Sequence, residues 1–171
     1  MNLMNLTEIA KEIHENAVAH GWWEEDRPAY EIIALIHSEW SEALEEYRAG
    51  RPMVYEGEDG KPEGIAVELI DGVIRILDYL ASSERICVIG IYELLQPEEL
   101  TELVARLHEI TASSWLIPYL DDAFIDATTL INAVQIVFDW IGRQGLDPLE
   151  ILKKKHEYNK TRPYRHGGKV C

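Results

Sequence analysis

Residues 65–80, IAVELIDGVIRILDYL, constrain the fold more than any other part of the chain. They predict a helix that is apolar around nearly its whole circumference, with a single charged stripe formed by Glu68, Asp71, Arg75 and Asp78. A helix that is apolar all round is buried in the core of a protein, and isolated buried anions are very costly. The pattern therefore predicts a central helix whose carboxylates face something that compensates their charge.

Helical periodicity continues along most of the chain. We predict helices over about 7–20, 28–49, 65–82, 97–115, 121–143 and 147–158. Their proposed starting residues are Thr7, Pro28, Pro97, Asp121 or Asp122, and Asp147. Residues 51–64 are rich in glycine and proline and predict a loop, while residues 84–96 are ambiguous and favour a helix. The fold class is therefore all-α, a bundle of about five to six helices in a single domain over residues 1–171.

The second predicted helix carries its own acidic stripe. At about 100° per residue, Glu39, Glu42 and Glu46 lie along one border of its apolar face, and Glu45 points further out. Glu39 and Glu42 can therefore reach one point in space, as can Glu68 and Asp71 on the third helix. Taken alone, the Glu39–Glu42 pair is readily explained by ordinary surface charge on an amphipathic helix. Similarly, Arg75 can neutralise Asp71 or Asp78 in a structural ion pair.

Together the four carboxylates form an all-oxygen donor set, which selects hard cations such as Mg²⁺ or Mn²⁺. A di-iron site in a helical bundle uses Glu-x-x-His pairs. None of the six histidines has a glutamate three residues before it, so that class of site is excluded.

The net charge of −15 argues against nucleic-acid binding, which needs a positive surface. The basic residues are concentrated at the end of the chain, where seven of the 16 occupy the last 19 positions. We find no secretory signal, no apolar run of the roughly 18 residues that a membrane span needs, and no cysteine framework. These features predict a cytoplasmic protein without a membrane partner.

The basic segment at residues 155–169 is also rich in residues that can bind a nucleotide. Its candidate substrate-binding residues are Lys155, Tyr158, Asn159, Lys160, Arg162 and Tyr164. Lysine and arginine donate to phosphate oxygens, and asparagine and tyrosine can bond a base or a sugar. The alternative is a solvated basic tail, and Pro163 with Gly167-Gly168 predicts an irregular strap in place of a helix.

Three motifs occur in a fixed order: SExxEALEE at 38–46, VELxD at 67–71 and YNKxRPYxHGGK at 158–169. Together they resemble the MazG-like branch of the all-α nucleoside-triphosphate pyrophosphatases, over about 28–82 and 146–169. The resemblance implies that Glu39, Glu42, Glu68 and Asp71 bind Mg²⁺ and form the catalytic centre. It also implies hydrolysis of a nucleoside or deoxynucleoside triphosphate to the monophosphate and pyrophosphate. Residues 83–145 lie outside the match and are interpreted as an extra helical segment.

Several features of such an enzyme stay open at this level. Some relatives have a second glutamate where this chain has Ser38, so Glu42 and Glu46 are the candidate proton acceptors. Trp22 and Trp23 either stack on a base or belong to the core. The alternatives in function are a catalytically inactive helical interaction protein and a base-specific dUTP or dCTP pyrophosphatase. A homodimer or homotetramer is expected.

Overall fold

The computed structural model describes residues 3–82, 96–116 and 124–168. Its six long helices are α1 Leu3–Ala19, α2 Ala29–Arg48, α3 Ile65–Ser82, α4 Leu100–Ser114, α5 Ala127–Arg143 and α6 Pro148–Lys160. A four-residue turn, α7 Arg165–Gly168, follows α6. Two antiparallel pairs of two-residue strands join them, β1 Tyr55–Glu56 with β2 Pro62–Glu63 and β3 Trp115–Leu116 with β4 Phe124–Ile125. The protein is mostly helical, which confirms the all-α prediction.

Helix α3 lies at the centre of the bundle and packs against α1, α2, α5 and α6. Most of its apolar residues are buried, and the buried set also includes Glu68 and Asp78 from its charged stripe. One hydrophobic core takes residues from all six long helices. The described part of the predicted extra segment, α4 and α5, therefore belongs to this core. No helix in the described ranges is both long and apolar enough to cross a bilayer.

The helices that carry the motifs have the predicted bounds. Helix α2 follows Pro28, α3 spans Ile65–Ser82, and α6 begins at Pro148. The side chain of Asp147 caps α6 by accepting from the backbone amides of Leu149 and Glu150, at 2.9 and 3.3 Å. Capping and periodicity act locally, which is why the sequence predicts these boundaries well.

Three other boundaries differ from the predictions. Helix α1 begins at Leu3, before Thr7, and α4 begins at Leu100, after Pro97. Helix α5 is capped by Asp126, which accepts from the amide of Thr128 at 3.0 Å, so the predicted caps Asp121 and Asp122 are wrong. The reason is the β3–β4 pair, which directs the chain into α5 only after residue 125. The helix favoured over 84–96 lies outside the described residues except for Gln96, which is not helical.

The predicted loop at 51–64 contains the small β1–β2 hairpin with a 3₁₀ turn, Glu58–Gly60, at its tip. The hairpin ends at Gly64, whose φ of 118° is unfavourable for other residues. A Cβ at this glycine would lie 2.7 Å from the carbonyl oxygen of Pro52. This tight turn delivers the chain into α3 and brings Lys61 and Pro62 towards the acidic residues of that helix.

The contact between α2 and α3 is set by Trp40 and Gly72. Trp40 is fully buried, and its indole nitrogen donates to the hydroxyl of Thr111 at 2.9 Å. A Cβ at Gly72 would overlap the six-membered ring of Trp40. The glycine therefore lets the two acid-bearing helices approach closely.

We expect Gly72→Ala to lower the free energy of unfolding by about 1–3 kcal/mol, because the added methyl group overpacks a filled core. The matched control is Gly142→Ala in α5, where a Cβ meets nothing within 4 Å. That substitution should stabilise the protein by up to about 1 kcal/mol, since alanine is the better helix former. Chemical denaturation measures both changes. Equal effects at the two glycines would contradict the proposed packing.

Candidate active site

The acids of α2 and α3 meet where the two helices pack together. One carboxylate oxygen from each of Glu39, Glu42 and Glu68 lies within 4.8 Å of the others. Glu39 and Glu68 are only 5% and 8% exposed, whereas Glu42 is open to solvent. The predicted convergence of the two acidic stripes thus brings together three of the four acids at one point.

Burial disfavours the charged form of these acids. It raises the pKa of Glu68 to about 8, and the nearby charge of Asp71 raises it further. Burial also raises the pKa of Glu39, although Arg75 opposes that effect. A cluster of buried acids that resist ionisation is one that a divalent cation would stabilise in the charged form.

The fourth acid, Asp71, has a partner of its own. Its carboxylate forms an ion pair with the ammonium group of Lys155 at 2.7 Å. Lys155 is 2% exposed, and it also donates to the carbonyl oxygen of Pro62 at 3.4 Å. Asp71 therefore lies beside the three converging acids and connects α3 to α6.

The remaining charged residues of the α3 stripe do not pair with each other. Arg75 donates from its Nε to a carboxylate oxygen of Glu39 on α2. Asp78 accepts from the indole of Trp23 at 3.0 and 3.1 Å and contacts Nδ1 of His14 at 2.8 Å. The sequence left open that Arg75 neutralises Asp71 or Asp78. In the structure Arg75 instead bonds to Glu39 of the acid cluster.

A cavity of about 300 Å³ opens above the acids, at the lower end of the roughly 300–1,000 Å³ range of small-ligand sites. The acids that line it are Glu39, Glu42, Glu68, Asp71 and Asp78, and residues of α1, of α6 and of the segment after α6 form further walls. Lys155, His156 and Asn159 line it from α6, and Arg162 and His166 line it from the segment after α6. The cavity thus combines an acidic side with a largely basic and polar one.

Residues 161–168, which we call the strap, are bound to the end of α1. The ring nitrogens of His20 lie 2.7 Å from the carbonyl oxygen of Asn16 and 2.9 Å from that of Arg162. The backbone amide of Arg165 donates to the carbonyl oxygen of His20 at 3.0 Å. These bonds hold the chain so that Arg162 lines the cavity of its own subunit.

The outer part of the strap covers the turn after α1. The ring of Tyr164 occupies the space that a Cβ on Gly21 would need, and its hydroxyl donates to Glu24 at 2.7 Å. The rings of Trp22 and His166 meet edge to face at 5.2 Å and both line the cavity. The two adjacent tryptophans therefore have different environments, since Trp23 packs on the core and bonds Asp78.

The predicted substrate-binding residues divide into two groups. Lys155, Asn159 and Arg162 line the cavity. Lys160 pairs with Glu157 at 2.5 Å on the exposed side of α6, and Tyr164 bonds Glu24. Tyr158, Lys160 and Tyr164 are not among the cavity-lining residues of the described ranges, and neither is Glu46, one of the candidate proton acceptors.

The structure adds cavity residues that the motifs do not include, Asn16, Lys61, Arg75 and His156, and it also places His166 of the third motif there. Arg75 lies one helical turn after Asp71, so the helical wheel already placed it on the right stripe. His156 is buried, burial lowers its pKa, and its Nε2 has no hydrogen-bond partner among the described residues. No local sequence signal marks Lys61 or Asn16, because their place depends on the path of other elements.

The raised pKa of Glu68 predicts a pH-dependent stability. The unfolded chain releases this proton near 4.5 and the folded chain near 8. Between these values the folded state binds more protons, so the free energy of unfolding falls as the pH rises from about 4.5 to about 8. Glu68→Gln should remove this dependence and, at pH 9, stabilise the metal-free protein by on the order of 3 kcal/mol.

Urea denaturation in EDTA at pH 5, 7 and 9 measures this effect. Glu45→Gln is the control, because Glu45 is exposed on the outer side of α2. A Glu68→Gln variant with the same pH dependence as the parent would show that Glu68 ionises normally.

Comparisons with family models, with curated proteins and with solved structures found no match to this chain. The relationship to the MazG-like pyrophosphatases therefore remains a prediction from the three motifs.

Proposed function

We propose that this chain is a Mg²⁺-dependent nucleoside-triphosphate pyrophosphohydrolase. In this proposal water cleaves the bond between the α-phosphorus and the bridging oxygen, and the products are a nucleoside monophosphate and pyrophosphate. The observation that carries the proposal is the cavity itself, in which three converging carboxylates face Lys155, Arg162 and Asn159. An acidic site alone would repel a polyanion, and a basic site alone would not hold a metal ion.

The donor set fits a hard divalent cation. Oxygens bound to one Mg²⁺ lie at most about 4.2 Å apart, twice the bond length of about 2.1 Å. The carboxylate oxygens of Glu39, Glu42 and Glu68 are within 4.8 Å of one another, so side-chain rotations that bring them closer by at most about 2 Å would place all three around one ion. When bound there, Mg²⁺ or Mn²⁺ supplies charge neutralisation for the triphosphate and lowers the pKa of a bound water.

The cations of the opposite wall would bind the substrate. Lys155 and Arg162 reach the cavity from α6 and the strap, and their charge-assisted bonds suit phosphate oxygens. Arg162 offers a planar fork of donors, and Lys155 offers a point charge next to Asp71. These residues would orient the triphosphate and stabilise the charge that develops on the leaving pyrophosphate.

Proton transfer would use one of the three converging acids, and nucleobase binding would use one further residue. Glu42 is the most exposed of the three converging acids and lines the cavity, so it is placed to accept the proton of the attacking water. Trp22 lines the same cavity beside His166 and offers an aromatic face to a nucleobase.

The test is an assay for pyrophosphate and monophosphate over all canonical ribo- and deoxyribonucleoside triphosphates, with Mg²⁺ and with EDTA. Metal-dependent release of both products is the expected result. Release from dUTP or dCTP alone would identify a base-specific enzyme. Absence of release from every substrate would overturn the proposal and favour an inactive interaction protein of the same fold. The homodimer or homotetramer predicted from the sequence is tested in parallel by light scattering.

A further inference from the structure

Arg75 binds one of the three acids that would hold a metal ion. Its Nε donates to the carboxylate of Glu39, whose side chain is 7% exposed. The arginine side chain is 36% exposed and lines the cavity, so its guanidinium group approaches Glu39 from the open side. Arg75 thus partly balances the charge of Glu39 within the three converging carboxylates, while Lys155 acts on Glu68.

A divalent ion held by Glu39, Glu42 and Glu68 would bind the same Glu39 carboxylate that Arg75 now binds. Two cations on one carboxylate repel each other, which weakens the bond between the guanidinium group and Glu39. Binding of the ion therefore favours release of the guanidinium group from Glu39, or a shift along its carboxylate. Loss of this ion pair opposes metal binding as long as the cavity holds no other anion.

The other acids of α3 are already engaged. Asp71, four residues before Arg75, is paired with Lys155 at 2.7 Å. Asp78, three residues after it, accepts from Trp23 and contacts His14. A displaced Arg75 therefore has no unoccupied carboxylate on its own helix among the described residues.

The displaced guanidinium group would join other cations. Arg162 is close enough for Arg75 to affect it electrostatically: burial lowers the pKa of Arg162 most, and the charge of Arg75 contributes. Lys155 lies on the same cavity. Together these three cations would form a site for a polyanion, and arginine binds phosphate through two parallel donors.

We propose that Arg75 is an internal counter-ion of the acid cluster that moves to the substrate's phosphates when a divalent ion displaces it from Glu39. This inference rests on the proposed function for its second half, the contact with phosphate. Arg75 thereby makes metal and triphosphate bind cooperatively, since each relieves the unbalanced charge that the other creates.

The first measurement is the affinity for Mn²⁺ in the absence of nucleotide, determined by electron paramagnetic resonance and by calorimetry. Arg75→Met should bind Mn²⁺ about tenfold more tightly than the parent, because no guanidinium group competes for Glu39. Arg75→Lys retains the charge and should stay within about threefold of the parent. Arg27→Met is the control for general electrostatics, since Arg27 lines the cavity but pairs with Glu31 at 2.8 Å.

The second measurement is the affinity for a non-hydrolysable α,β-methylene nucleoside triphosphate at saturating Mn²⁺. Here Arg75→Met should bind about tenfold more weakly, the opposite direction to the metal alone. Weaker or unchanged Mn²⁺ binding by Arg75→Met would overturn the counter-ion role and leave a purely structural ion pair. Tighter Mn²⁺ binding with unchanged analogue affinity would overturn the phosphate contact. Failure of the wild type to release pyrophosphate would overturn the proposed function and leave the Mn²⁺ comparison intact.

Discussion

Glu42→Gln is expected to lower kcat/KM for pyrophosphate release about a thousandfold while the protein stays folded. The substitution removes one of the three converging carboxylates and the proposed proton acceptor together. A loss of about 4 kcal/mol in transition-state stabilisation corresponds to this factor. Stability should be nearly unchanged, because Glu42 is exposed and forms no ion pair in the described part of the chain.

Glu45→Gln is the matched control for this prediction. It removes the same charge three residues later on the same helix, at an exposed position that does not line the cavity among the described residues. Its kcat/KM should remain within about twofold of the parent. Equal loss in both variants would show that net charge, and not the position of Glu42, controls the reaction.

Asp71→Asn is a less clean test than the sequence suggests. From the motifs alone, removal of one acid from a repelling cluster should leave stability unchanged or raise it. In the structure Asp71 is the ion-pair partner of the buried Lys155. The substitution would leave that ammonium group without its counter-charge, which destabilises a protein strongly. Loss of activity in this variant would therefore mix catalysis with folding.

Removal of the strap should have the second large effect. A chain that ends at Lys160 keeps α6 intact and loses Arg162, His166 and the aromatic contacts with Gly21 and Trp22. We expect it to fold, because the strap contributes no residue to the buried core. Its pyrophosphate release should be nearly abolished, since the basic wall of the cavity is then incomplete. Circular dichroism and the product assay measure the two effects.

Arg162→Ala isolates the charge from the rest of the strap. A charge-assisted bond to phosphate contributes about 1.5–3 kcal/mol, so kcat/KM should fall ten- to a hundredfold. Lys160→Ala is the control, because that side chain pairs with Glu157 on the exposed side of α6. The sequence groups these two residues as substrate-binding, whereas their positions in the fold predict different results. Parent-like activity in both the truncated chain and Arg162→Ala would mean that the strap is only a solvated appendage.

The Glu42→Gln and strap experiments test the same arrangement of charge, in which an acid cluster faces cations across the cavity. The protein carries a net charge of −15, and its acids would repel a triphosphate unless cations face the substrate. The structure brings Arg75, Lys155 and Arg162 to the acid cluster from three different elements, α3, α6 and the strap. The basic tail noticed in the sequence therefore has a position in the fold that fits the substrate proposed for it.

The sequence by itself determined the features that depend on neighbours along the chain. Helical periodicity predicted α2 and α3, and the i,i+3 spacing predicted that Glu39 and Glu42 share a face. The all-round apolar pattern of α3 predicted its central position. Proline and aspartate predicted the start of α6. These signals are local, because caps, side-chain direction and burial of a helical face repeat with the helical turn.

Only the tertiary structure decided which charged residues meet. The pairing of Arg75 with Glu39 and of Lys155 with Asp71 depends on how α2, α3 and α6 pack, which periodicity does not encode. The same holds for the separation of Arg162 from Lys160, since the strap turns back onto the end of α1 after α6 ends. Helical spacing relates residues on one element, whereas the distance between charges on different elements follows from packing angles and from the path of the connecting chain.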